Sequence, residues 1–130
     1  MKRLRPTGGR NYMPFEVQFS NPFKRSVRRL RRKYRRIQAD LEPAIEALLL
    51  HPDLGTVIPG TPAVRKLRVP SSDMRRGKRG GFRLLYRVVA DRRLIVLLFV
   101  YAKPEREDLS RKEIERIVEE ALGENDEDGE

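Results

Sequence analysis

Apolar positions along this chain recur with two different periods, and the switches between them mark out its elements. Phe15, Val17 and Phe19 alternate with Glu16 and Gln18, which predicts a first β-strand. Ser20 or Asn21, followed by Pro22, is a helix start. From there Phe23, Val27, Leu30, Tyr34, Ile37 and Leu41 recur at spacings of 4, 3, 4, 3 and 4, one continuous apolar stripe on an amphipathic helix. Asp40 and Pro43 are expected to open a second helix, with Leu41, Ala44, Ile45, Leu48 and Leu49 inward and His51-Pro52 at its end. Asp53 to Pro62 reads as loop. Val64 to Val69 sets Val64, Leu67 and Val69 imperfectly against Arg65, Lys66 and Arg68, a strand with a cationic face. Pro70 to Gly81 is a polar connection.

Two further strands, Phe82 to Val89 and Leu94 to Tyr101, are joined by a tight Ala-Asp-Arg-Arg turn. The second is almost wholly apolar, as expected of a strand covered on both faces. Ser110 and Glu113 form a capping box with Leu109 and Ile114 as its hydrophobic staple. Ile114, Ile117, Val118, Ala121 and Leu122 then make the stripe of a last helix, expected to end at Gly123. The order predicts an α+β fold, a mainly antiparallel sheet with an αα-hairpin and the other helix on one face and the second face free for function. Residues 1–13 read as a flexible basic arm, 14–122 as one domain and 123–130 as an acidic, disordered tail.

Composition limits what such a domain can do. A chain of 130 residues with 38% hydrophobic content buries one modest core. It lacks the apolar run of about eighteen residues that a membrane span needs, and its basic N-terminus has no apolar stretch behind it, so neither a span nor a signal peptide is expected. The absence of Cys excludes thiol chemistry and fits a cytoplasmic setting. Net charge is +10, and five of the nineteen acids lie in the last seven residues, so Met1 to Gly123 carries 29 basic and 14 acidic residues, +15. Such an excess points to an anionic partner, nucleic acid rather than membrane. The first helix adds like-charge pairs at i,i+4 (Arg28/Arg32, Arg31/Arg35, Arg32/Arg36), which suit either a solvated face or an anionic counterpart.

Several chemistries drop out. One His and no Cys leave no metal cluster, and no cofactor motif is present. Glu105, Glu107 and Asp108 stand where the dipole of the last helix favours them and read as structural. What remains is cations expected to converge on one sheet face: Arg65, Lys66 and Arg68, then Lys78 and Arg79 from the connection, Arg83 from the next strand and Lys103 beyond the last. Arg75, Arg76 and Arg87 extend the set. Phosphoryl transfer on RNA can run on cations alone, with Arg and Lys neutralising charge on the equatorial oxygens while the 2′-hydroxyl attacks. A lysine among other cations has its pKa lowered and could move the proton. The same groove could instead only bind nucleic acid, with Tyr101, at an open strand end, stacking on a base; Phe82 and Tyr86 read as core.

The segments Gly77 to Arg87 (GKRGGFRLLYR) and Leu97 to Ser110 (LLFVYAKPEREDLS) resemble the RelE/HigB-like toxins of bacterial type II toxin–antitoxin pairs, over roughly Phe15 to Leu122. The resemblance implies a RelE-like fold of order β-α-α-β-β-β-α, the order reached above from periodicity. It also implies a ribosome-dependent mRNA endonuclease, contacting mRNA and 16S rRNA and held inactive by a cognate antitoxin. Catalytic roles would fall to Lys78, Arg83 and Lys103, and phosphate contacts to Arg65 and Arg68. One departure stands out: Ser110 and its neighbours lack the catalytic tyrosine or histidine some members carry there, which leaves the general base open. A ParE-like inhibitor of DNA gyrase shares the fold and is the alternative, as is a non-enzymatic RNA- or ribosome-binding protein.

Overall fold

The computed structural model describes residues 14–74 and 80–128, with side chains as far as Gly123. The basic arm of residues 1–13 and residues 75–79, Lys78 and Arg79 included, lie outside the described residues. The chain runs β1 (Glu16–Phe19), α1 (Asn21–Arg31), α2 (Ile37–Leu50), β2 (Thr56–Val57), β3 (Val64–Val69), β4 (Phe82–Val89), β5 (Leu94–Ala102) and α3 (Arg111–Asp128). A single turn of 3₁₀ helix, Ala90–Arg92, joins β4 to β5, closed by Arg93 in the left-handed region at φ 49°. The five strands form one mixed sheet in the order β1-β5-β4-β3-β2, parallel between β1 and β5 and antiparallel elsewhere. β2, two residues within the stretch expected to be loop, pairs with β3.

β5, the strand predicted to be covered on both faces, lies between β1 and β4. β1 accompanies β5 only as far as Leu97. Beyond that point α1 lies along the same edge, and two serines take over the ladder. The Ser20 backbone N–H donates to the Leu97 carbonyl (3.2 Å), and the Ser20 hydroxyl donates to that of Leu98 (3.4 Å). The Val100 N–H donates to Ser26 Oγ (3.1 Å), whose own proton goes to the Phe23 carbonyl (2.7 Å). Ser20 also caps α1 by accepting from the Phe23 N–H. Both serines are buried with their hydrogen bonds met, as buried polar groups must be.

The long apolar stripe is buried at every predicted position from Phe23 to Leu41, but it spans two helices rather than one. α1 stops at Arg31, the Lys33 and Tyr34 N–H groups both close on the Leu30 carbonyl, and α2 starts at Ile37, so Asp40 and Pro43 lie inside it. The break has a charge component, since Arg31 to Arg36 stacks five cations on successive turns of any continuous helix. It also has a tertiary one: Asp73, from the connection after β3, accepts the Arg36 N–H (2.8 Å) and pairs with its guanidinium, capping α2 from outside. Tyr34, in the turn, meets Phe82 edge-on at 5.4 Å.

α1 and α2 cover one face of the sheet through Val17, Phe19, Phe82, Leu84, Tyr86, Ile95 and Leu97. The other face is not free, as expected, but is partly covered by α3. Leu109, Ile114, Val118 and Ala121 form a second core with Val64, Leu85, Val96, Leu98 and Tyr101. α3 cannot join the first layer because α1 already occupies the β5 edge, and the two helices meet there through a forked Arg25–Glu120 pair at 2.7 Å. Its start is the predicted capping box, with the Glu113 N–H donating to Ser110 Oγ (3.1 Å) and the Ser110 N–H to Glu113 Oε1 (2.9 Å). Arg106 and Ser110 hold the Glu113 carboxyl down to about 2. The helix runs on through Gly123 to Asp128 rather than ending there; Gly123 is not among the glycines with positive φ, so no left-handed residue terminates the helix at that point.

Candidate nucleic-acid interface

A strand turns alternate residues to opposite faces, so the register decides which cations can meet. Arg68 of β3 lies opposite Arg83 of β4, and Arg83 opposite Tyr101 of β5, which places the three in one row across the sheet. One step along, Lys66 lies opposite Leu85, a residue of the core under α3. Lys66, Arg68, Arg83 and Tyr101 therefore share the face that α3 covers only in part. Arg87 shares it too, four residues further along β4 and about 13 Å away at the rise of a strand. Arg65 does not join them. It lies opposite Tyr86, a residue of the first core, and its guanidinium donates to the Gly55 carbonyl (2.6 Å) and to that of Asp53 (3.3 Å). Adjacent strand positions cannot both face the same way, so the expected convergence of Arg65 with Lys66 and Arg68 does not occur.

Two arginines directly opposite each other in a ladder repel, which costs stability unless an anion lies between or above them. Arg83 is half-buried, and its Nη1 donates to the Gly80 carbonyl (3.0 Å) and to that of Phe82 (3.2 Å). Burial and then neighbouring Arg68 lower its pKa, although Tyr101 works the other way; the guanidinium remains a cation. Gly81 makes this approach possible. Its φ of +79° and the 2.5 Å that would separate an added Cβ from the Val69 carbonyl admit only glycine, and its own carbonyl accepts the Lys103 N–H (3.0 Å).

Tyr101 is buried, not the open ring its place near a strand end suggests, because the segment leading into α3 folds back over it. Its hydroxyl donates to Asp108 Oδ1 (3.2 Å), and Lys66 Nζ stands 3.5 Å from the same oxygen. Burial first and Asp108 second push the phenol up to about 12, so at neutral pH it is a fixed donor. Partial burial alone would raise Asp108, but the Leu109 N–H, Lys66 and Tyr101 together hold its carboxyl below the usual range. Lys103 donates through Nζ to the Glu107 carbonyl (2.7 Å), and Arg106 forks onto Glu113 (2.8 and 3.0 Å) while also donating to the Asp108 carbonyl. Residue spacing does not single out Arg106, and marks Asp108 only as a structural acid of the last helix. Their signal was the chain's return from Lys103 to the capping box, which brings the segment back over the end of β5.

Comparison with known proteins agrees with this architecture. Residues 17–103 match the family model described as the ParE toxin of the type II toxin–antitoxin system parDE. A mutant Escherichia coli toxin RelE in the free state is 18% identical with a TM-score of 0.51, covering 86% of this chain and 98% of that one. The RelBE2 toxin–antitoxin complex of Mycobacterium tuberculosis is 24% identical with a TM-score of 0.50, covering 68% of this chain and 96% of its own. At these identities the two structures speak for the fold, and the RelE-like α+β fold expected from the sequence is the one observed.

Proposed function

This chain belongs to the ParE toxin family of type II toxin–antitoxin systems, and from that premise we propose that it is a ribosome-dependent mRNA endonuclease. The observation that carries this reading is the row Arg68–Arg83–Tyr101, with Lys66 beside it, on the face of the sheet that α3 leaves partly open. In the proposed reaction the 2′-oxygen of one nucleotide attacks the adjacent phosphorus and the bond to the 5′-oxygen breaks. The products are a cyclic 2′,3′-phosphate and a 5′-hydroxyl. Arg83 and Arg68 neutralise charge building on the equatorial oxygens, where a guanidinium fork matches two oxygens at once. Tyr101, buried and protonated at neutral pH with its proton donated to Asp108, holds that carboxylate beside Lys66 and is not the base. The proton leaving the 2′-hydroxyl and the one reaching the 5′-oxygen are assigned to Lys78 and Lys103. Lys66, with Arg75, Arg76 and Arg79 of the connection, would hold the flanking phosphates, and the ribosome with its 16S rRNA would fix the strand in place. The protein would act in the cytoplasm, restrained by a cognate antitoxin, as in the Mycobacterium tuberculosis complex of similar fold.

The family match favours a second reading, inhibition of DNA gyrase without cleavage of any strand. In vitro translation of a short mRNA followed by primer extension separates the two, with Arg83→Ala alongside. Cuts that need translating ribosomes and fall by two or more orders of magnitude in the variant are the expected result. Intact mRNA together with blocked gyrase supercoiling would replace the endonuclease by the gyrase inhibitor.

A further inference from the structure

One peptide unit stands behind Arg83. Its carbonyl, from Gly80, accepts from Arg83 Nη1 (3.0 Å), and its N–H, from Gly81, donates to the thioether sulfur of Met74 (2.9 Å). A trans peptide is a single rigid plane whose N–H and carbonyl point opposite ways, so what fixes one end also aims the other. Both glycines are buried. A buried backbone N–H ordinarily finds an oxygen or a strong acceptor, and a thioether is a weak one. Met74 is in turn held by what precedes it. The Ser72 N–H and hydroxyl donate to Asp40 Oδ2 (2.9 and 3.2 Å), and Asp73 pairs with Arg36. Its side chain packs against the core under α1 and α2. The sulfur is thus the link in a short run of contacts that leads from the start of α2 to the Gly80–Gly81 peptide and so to Arg83.

We propose that Met74 is a modification site, at which oxidation of the thioether to the sulfoxide displaces Arg83 through the Gly80–Gly81 peptide. Met74 is only partly buried, so a small peroxide reaches it, and no Cys competes for the oxidant. The sulfur lone pair attacks one oxygen of hydrogen peroxide, the S–O bond forms as the O–O bond breaks, and the second oxygen leaves as water. Sulfur gives up two electrons and the peroxide takes them. At 2.9 Å the sulfur and the Gly81 nitrogen are already in contact, and no atom fits between them. An added oxygen that points away leaves the N–H facing an electron-poor sulfur, a buried donor without its acceptor. An added oxygen that takes the N–H stands the peptide off from the sulfur. Both outcomes shift the plane. Gly81 has no slack to absorb the shift, since its φ is +79°, the Val69 carbonyl lies 2.5 Å from where a Cβ would be, and its own carbonyl receives the Lys103 N–H (3.0 Å). The movement therefore passes to the Gly80 carbonyl and the guanidinium it holds. Met74 is a positioning residue in this scheme, since it acts on Arg83 and not on RNA. Its effect on cleavage rests on the endonuclease reading above; its effect on Gly81 does not.

The test uses the full chain and Met74→Leu, which keeps the volume of the side chain and removes its sulfur. Limited hydrogen peroxide should add one oxygen to the tryptic peptide Val69–Arg75, read by mass spectrometry, and should displace the Gly81 amide peak in a proton–nitrogen correlation spectrum. On saturating translating ribosomes it should lower kcat by up to about 100-fold, with KM little changed. Methionine sulfoxide reductases for the two sulfoxide epimers should restore both the peak and the rate. In Met74→Leu the Gly81 peak and kcat, whatever their starting values, should not respond to peroxide, although Met1 and Met13 remain. A Met74 sulfur still reduced once Met13 is fully converted overturns the proposal. So does a sulfoxide at Met74 with the Gly81 peak unmoved, or a peroxide response of kcat that persists in Met74→Leu. A displaced, reversible Gly81 peak in a chain that cuts no mRNA removes the endonuclease and leaves the Met74 site standing. Cleavage that depends on Arg83, with the peak unmoved by oxidation, does the reverse.

Discussion

Tyr101 is the residue at which burial, charge and the site meet. Its ring is part of the α3 core, and its hydroxyl fixes the carboxylate that stands beside Lys66. Tyr101→Phe keeps the ring and removes one hydrogen bond to an ionised but exposed group, which should lower stability by about 1 kcal/mol. The more diagnostic outcome is at high pH. A phenol raised from 10 to about 12 favours the folded state below pH 10, and that contribution fades as pH climbs through 12. Urea midpoints of the parent chain should therefore fall more steeply between pH 10 and 12 than those of Tyr101→Phe; parallel curves would deny Tyr101 its raised pKa. Spacing placed Phe82 and Tyr86 in the core correctly, because alternation within a strand is a local property. It mistook Tyr101 for an open ring and read Asp108 as structural only, because the surroundings of both depend on where the chain returns after the strand ends.

The same limit shows among the elements. The bounds of β3 and β4, the near-total burial of β5 and the capping box of α3 were all legible, since each rests on neighbours in sequence. The turn between α1 and α2 was not, because Asp73, which caps α2, lies 37 residues away from Arg36. Nor was the layer that α3 joins. Amphipathicity tells a helix to cover something, and the edge of β5 decided what. That edge rests on Ser26, whose hydroxyl is the partner of the Val100 N–H. Ser26→Ala would leave a buried donor unsatisfied, at a cost of about 1–3 kcal/mol, and the better helix propensity of Ala returns only about 0.5 kcal/mol. A net loss of about 0.5–2.5 kcal/mol in urea unfolding, with the slope m unchanged, is expected; a neutral result would mean that α1 and β5 part without consequence.

For the molecule as a whole the excess of cations is a structural burden as well as a means of binding. Residues 1–123 carry a net +15, and within the described part the cations are set against one another: Arg68 against Arg83 across the ladder, Lys24, Arg28 and Arg31 along α1. Its exposed ion pairs return little, since pairs such as Arg25–Glu120 and Arg106–Glu113, both more than a third exposed, are worth about 0.2–1 kcal/mol each. Repulsion summed over the surface acts at longer range than any of these pairs, and the screening length shrinks from about 30 Å at 0.01 M salt to about 8 Å at 0.15 M. Salt should therefore remove more repulsion than attraction. Thermal unfolding in KCl, a salt without a phosphate-like anion, is expected to shift upward from 0.01 to 0.15 M by about 4 °C for each kcal/mol of repulsion relieved. A midpoint that falls with salt would mean the ion pairs outweigh the repulsion, and the crowding of cations on the two faces would no longer count as a cost held in reserve for an anionic partner.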